Sequence, residues 1–144
     1  MKSLKLLVLL PFLILFISCQ GQQNPVKKSD SKTAKIEVID FHSTHRCFTC
    51  NAIEDNTKNT LDTYFSKQVK EGIITLLIVN VDEKENEKMA EKFEAYGTSL
   101  FLNVISNGNE KAINLTDFAF ENAREKDVFV NGLKGKIEEQ LKSL

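Results

Sequence analysis

Neither charge sign dominates this sequence: Lys and Arg number 19, Asp and Glu 20, and the formal net charge is −1. A chain so balanced carries no electrostatic footprint for nucleic acid. No cluster of Lys and Arg marks a lipid-headgroup site either. No internal repeat or low-complexity tract is present. Proline stands only at Pro11 and Pro25. Cysteine occurs three times, too rarely to knit a small fold together. A single C-x-x-C closes too short a loop to stabilise the folded state much, because that stabilisation grows with loop length.

The longest apolar run is at the start. Lys2 and Lys5 precede Leu6 to Ile17, and Ser18-Cys19 follows. Positive charge ahead of a short apolar run reads as a secretory signal, and the run is too short for a membrane span. Ser18 directly before Cys19 resembles a bacterial lipobox, although Ile17 stands where a small residue is more usual. No A-x-A cleavage pattern precedes Cys19. The expected division is a lipoprotein signal peptide over residues 1–18, a flexible tether over 19–33 and one domain over 34–144. Cys19 would carry the lipid and become the first residue of the mature chain. The tether is polar, with Pro25, Lys27 and Lys28. The signal removes two lysines and no acid, so the exported chain is slightly more acidic. Export would place the remaining cysteines where disulfides persist. Gln20 is not the Asp associated with inner-membrane retention in some bacteria, so the expected location is the periplasmic side of the cell envelope, at the outer membrane rather than the inner.

The remaining pair, Cys47 and Cys50, falls between a β-prone run and a helical pattern. A helix N-terminus offers free N–H groups and the positive end of the helix dipole. Both favour a thiolate on Cys47, the attacking species in disulfide exchange. Arg46, and His45 when protonated, add positive charge. Cys50, one turn further in, is placed to resolve a mixed disulfide on Cys47.

Taken in order, residues 35–41 are β-branched and aromatic and predict a strand. Residues 51–65 place Ile53, Leu61 and Phe65 on a helical stripe, with Thr57 and Tyr64 beside it. Residues 73–81 form a continuous apolar run, the pattern of a strand buried on both faces. Asp82 is expected to cap a helix running to about Tyr96, with Gly97 ending it. Its Lys84, Lys88 and Lys92 alternate with Glu85, Glu87 and Glu91, as on a solvated face. Residues 99–105 and 110–115 predict two strands joined at Asn107-Gly108, a hairpin signal. Residues 116–127 are poorly legible, with Phe118, Phe120 and Phe129 expected to cover a core face. A last helix is expected over about 128–141, with Gly132 and Gly135 against it.

The resulting order, β-α-β-α-β-β-α with C-x-x-C after the first strand, resembles the thioredoxin fold over residues 35–144. The resemblance implies an α/β three-layer sandwich around a mixed four-stranded sheet. With the lipobox and tether, the whole chain resembles small lipid-anchored thioredoxin-like proteins of Bacteroidetes-type bacteria. More narrowly, Phe41-His-x-Thr-x-Arg-Cys-x-Thr-Cys resembles proteins described as the nitroreductase subunit ArsF family. These are associated with arsenical operons and with membrane proteins of the cytochrome-c-biogenesis electron-transfer type.

The resemblance implies a thiol–disulfide oxidoreductase acting on protein disulfides, with Cys47 as nucleophile and Cys50 as resolving thiol. It needs no cofactor beyond the redox-active disulfide, and nothing points to a flavin site. A membrane electron donor of the cytochrome-c-biogenesis type is the implied partner. Asp40 resembles the buried acid that exchanges a proton with the second cysteine, with one extra residue between it and Cys47. Burial would make it a general base toward Cys50; a place at the strand end would leave it solvated. The departures are Phe48-Thr49 in place of Gly-Pro, Arg46 in place of Trp, and no proline before the third strand, where Thr98 or Ser99 stands. Thr98, Ser99, His45 and Arg46 are the expected substrate-groove residues.

Two readings from other classes compete. The thiolates could capture a soft metal or metalloid such as arsenite, Cu(I) or Zn²⁺, or the chain could be the thioredoxin-like subunit of a larger reductase. His42 and His45 lie near the pair, but not at zinc-site spacing, and no metal is expected on them. Asn51 excludes haem attachment, which needs His at that position.

Overall fold

The computed structural model describes residues 34–144. The expected signal, the lipidated Cys19 and the tether lie outside the described residues. Strand β1 (Lys35–His42) leads to helix α1 (Phe48–Tyr64) and short α2 (Ser66–Lys70). β2 (Ile74–Asn80) follows, then a 3₁₀ turn, Lys84–Asn86, that runs into α3 (Glu87–Phe93). β3 (Ser99–Ser106), β4 (Asn109–Asn114), α4 (Thr116–Asn122) and α5 (Lys126–Leu141) complete the chain. The sheet order is β2-β1-β3-β4. β1 and β2 are parallel, and β1–β3 and β3–β4 are antiparallel. A parallel pair joined through a helix, then an antiparallel hairpin on the other side of β1, is the thioredoxin-like α/β arrangement. Among the described residues no helix is long and apolar enough to cross a membrane.

Strand alternation builds two cores. Ile36 and Val38 of β1, Leu100, Leu102 and Val104 of β3, and Ile74 of β2 face α1 and α5. They pack there with Ile53, Leu61, Phe129, Leu133 and Ile137. On the other face, Ile39, Phe41, Val79 and Phe101 meet Phe93 of α3. The rings of Phe41, Phe93 and Phe101 lie 5.3–5.9 Å apart between centroids, within the range of favourable aromatic pairs. α3 is the shorter cover, and its face is finished by polar contacts. Lys35 donates to Glu37 at 2.7 Å, and the buried Asn103 amide donates to Glu37 at 2.9 Å.

Several expectations need correction. β2 is an edge strand with Thr75 and Ile78 exposed, not one buried on both faces. Its unbroken apolar run reports inward-facing Ile74 and Val79 interleaved with partly covered side chains. Asp82 does not cap α3, and Gly97 does not end it. The helix stops at Glu94, which takes a left-handed φ of 52°. Residues 116–127 contain α4, the element missing from the periodicity. Phe118 and Phe129 do face the core, but Phe120 is exposed. Gly132 is explained by close approach: a Cβ there would lie 2.6 Å from the Phe118 ring, so any larger residue would displace that ring where α4 packs on α5. At the hairpin, Asn107 and Gly108 have φ of 52° and 80°, the two positive values that a type I′ turn requires.

Candidate active site

The cysteine pair sits where β1 ends and α1 begins. Cys47 is the N-cap of α1, in extended conformation, and its Sγ accepts the Cys50 N–H at 3.1 Å. The two residues form a disulfide with Cα atoms 5.1 Å apart, inside the normal range. Their environments differ. Cys47 is exposed, whereas Cys50 is buried at 8% exposure. An incoming group can reach only the first sulfur without rearrangement. Phe48, between them, is 75% exposed.

The loop that delivers Cys47 is held from the far side of the sheet edge. The Thr44 N–H donates to Asp82 Oδ2 at 2.7 Å, and Asn80 Nδ2 donates to Thr44 Oγ1 at 3.1 Å. Val81 N–H bonds His42 O at 2.8 Å. The Thr44 N–H, followed by the Thr44 side chain, holds the Asp82 carboxyl below its ordinary value. Asp82 thus caps the cysteine loop rather than a helix. Sequence reasoning missed this brace, since its partners are far apart in the chain and become neighbours only through the parallel β1–β2 pairing.

Asp40 lies on the same face of β1 as Ile36 and Val38, one step nearer the strand end from which the cysteine loop departs. It is fully buried, which decides between the two readings of its position. Burial pushes its pKa from 3.8 to about 7; Arg46 opposes that, Glu54 adds to it and Lys58 opposes it. Neither carboxyl oxygen has a hydrogen-bond partner. Arg46 places its guanidinium inward: Nη2 is 4.0 Å from Asp40 Oδ2, and Nη1 bonds Glu54. Glu54 also bonds Lys58. Burial raises the Glu54 carboxyl, but the hydrogen bonds from Lys58 and Arg46 outweigh it and leave it below its ordinary value. Glu54 and Lys58 were absent from the sequence-based site, although their i,i+4 spacing is a visible signal.

The remaining expected residues sit around the pair's end of the sheet. Ser99 opens β3 opposite Phe41, with Thr98 just before it, both partly buried. The Ser99 hydroxyl bonds Gly97 O at 3.3 Å. Among the described residues there is no cis peptide. His45 is exposed, and His42 Nδ1 lies 3.0 Å from Ser43 O. Among the described residues no three His, Cys, Asp or Glu side chains gather as a metal site.

No protein-family model and no curated protein matches this chain. Among solved structures the chain is similar to mitochondrial thioredoxin 3 of Saccharomyces cerevisiae in its oxidized form, with 20% identity and a TM-score of 0.41 over 64% of this chain and 78% of that one.

Proposed function

We propose that the chain is a thiol–disulfide oxidoreductase working through Cys47 and Cys50. The observation that supports it is the asymmetry of the pair: one sulfur exposed at a helix N-cap, the other buried one turn in. With the pair reduced, the Cys47 thiolate attacks one sulfur of a substrate protein disulfide. That S–S bond breaks, a Cys47–substrate disulfide forms, and the released substrate thiolate takes a proton from solvent. Cys50 then gives its proton to Asp40 and attacks Cys47 Sγ. The mixed disulfide breaks, Cys47–Cys50 closes, and the second substrate thiolate leaves and is protonated. Two electrons and two protons pass to the substrate. In reverse, the same steps oxidise a dithiol, and the relative potentials set the direction.

The segment ahead of the domain supports a place for this chemistry in the cell envelope. The lipobox-like Ser18-Cys19 supports a lipid anchor facing the periplasm, at the outer membrane. A membrane electron donor of the cytochrome-c-biogenesis type would restore the dithiol; the ArsF resemblance is what supports that partner. Cys19→Ala is expected to leave the chain unlipidated and its signal uncleaved, as read by intact mass of the membrane fraction. Normal cleavage before residue 19 in that variant overturns the anchor. The exchange reading is tested by alkylating the reduced full-length chain at a pH below about 8.5, the free-thiol value. Cys47 is expected to be modified first in peptide mapping, and preferential modification of Cys50 refutes the assignment.

A further inference from the structure

Charged groups converge on the Asp40 carboxyl, yet none hydrogen-bonds it. Both its oxygens, and Nε and Nη2 of Arg46, are buried without a hydrogen-bond partner. Donor and acceptor face each other at 4.0 Å, beyond bonding distance. The guanidinium is engaged elsewhere: Arg46 Nη1 donates to Glu54 Oε2, and Lys58 Nζ donates to Glu54 Oε1. Glu54 is partly exposed, whereas the Asp40 side chain is not exposed at all. Keeping a negative charge is easier at the wetter site. The guanidinium therefore goes to Glu54. Opposite Asp40 on the flanking strands stand Ile78 and Leu100, so the charges acting on it come from Arg46 in the loop and from Glu54 and Lys58 on α1.

We propose that Glu54 holds the Arg46 guanidinium off Asp40, and so keeps the buried acid free to take and return a proton. Arg46 and Glu54 are positioning residues: they act through Asp40. The use of that proton rests on the exchange reading, whereas the clamp is a property of the fold. An Arg46 paired directly with Asp40 would fix it as a carboxylate. Without Arg46, the acid would be left protonated by burial and by the Glu54 charge.

Two variants that break the same hydrogen bond must therefore act in opposite directions. Glu54→Gln releases the guanidinium to close on Asp40, and the Asp40 titration midpoint is expected to fall by about one pH unit or more. Arg46→Gln removes the cation, and the midpoint is expected to rise. Carbon-13 NMR of the Asp40 carboxyl in the oxidised full-length chain reads both without any exchange reaction. Loss of the two charges alone would shift the midpoints in these same directions, so the clamp is read at the guanidinium itself: nitrogen-15 NMR of Arg46 is expected to show Nη2 hydrogen-bonded to Asp40 in Glu54→Gln and not in the wild type, and no such bond overturns the proposal. Should Arg46→Gln fail to fold, the isosteric Glu54→Gln decides alone: no fall in its midpoint overturns the clamp. The pH profile of mixed-disulfide resolution is expected to move with the NMR midpoints. An Arg46–Asp40 bond that forms in Glu54→Gln, in a chain that exchanges no disulfide, upholds the clamp and refutes the exchange reading.

Discussion

A chain carrying Cys50→Ser is expected to halt halfway through exchange, with a substrate protein held covalently on Cys47. The exposed sulfur at the start of α1 is still present to attack, and its N-cap position does not depend on the Cys50 side chain, since the bond it accepts comes from the Cys50 backbone N–H. Nothing is left to release the product. The adduct should accumulate on non-reducing gels and disappear on reduction. Cys47→Ser is expected to lose turnover entirely, because the sulfur that remains is buried. Mass spectrometry of the adduct identifies the substrate. Normal turnover by Cys50→Ser, or an adduct formed through Cys50 in the wild type, would remove the two-thiol mechanism.

Asp40→Asn is expected to strengthen the fold and slow the reaction together. In the unfolded chain Asp40 ionises near its ordinary value of 3.8, and in the fold near 7 because it is buried. Below about pH 4 both states hold the proton, and the substitution changes little. As pH rises from there, the unfolded chain gives up its proton while the folded one keeps it, so stability drains away. The loss is complete once the pH passes about 7. At about 1.4 kcal/mol per tenfold change, the penalty removed by Asn is of order 4 kcal/mol above pH 7. Urea unfolding at pH 4 and at pH 8 measures it: the two chains should match at the lower pH, and the variant should be the more stable at the higher. A variant less stable at pH 8 contradicts the assignment. The resolving step should slow by about a hundredfold, most strongly above about pH 7, where the wild-type acid is ionised and can take the proton. Below that pH the wild-type acid is already protonated.

Legibility in the sequence followed the range of the interaction. The C-x-x-C at a strand–helix junction is local chemistry, and α1 begins at Phe48 with Cys47 as its cap. The Asn107-Gly108 turn is local too, because only residues tolerant of positive φ fit it. β2 misled because an apolar run records hydrophobicity and not which strand will stand at the sheet edge. α4 was hidden because Phe120 breaks the buried pattern that Phe118, Ala119 and Ala123 would otherwise form. Gly132 argues against a helix by propensity, and its reason is tertiary: the Phe118 ring occupies the space a Cβ would fill. The Arg46–Glu54 link and the Thr44–Asp82 brace are tertiary facts; charge and hydroxyl groups in a sequence do not name their partners.

The sulfur that caps α1 is also one of the two that a reductant would change, and this ties folding to electron transfer. In the disulfide, Sγ of Cys47 is a neutral acceptor for the Cys50 N–H. Once two electrons arrive and the same atom bears negative charge, the bond becomes charge-assisted and stronger. The helix is then held better after reduction than before it. Folding and reduction share a thermodynamic cycle, so any preference of the fold for the dithiol reappears as a more positive midpoint potential, about 30 mV for each 1.4 kcal/mol. Residues that tighten the start of α1 therefore also tune how avidly the domain draws electrons.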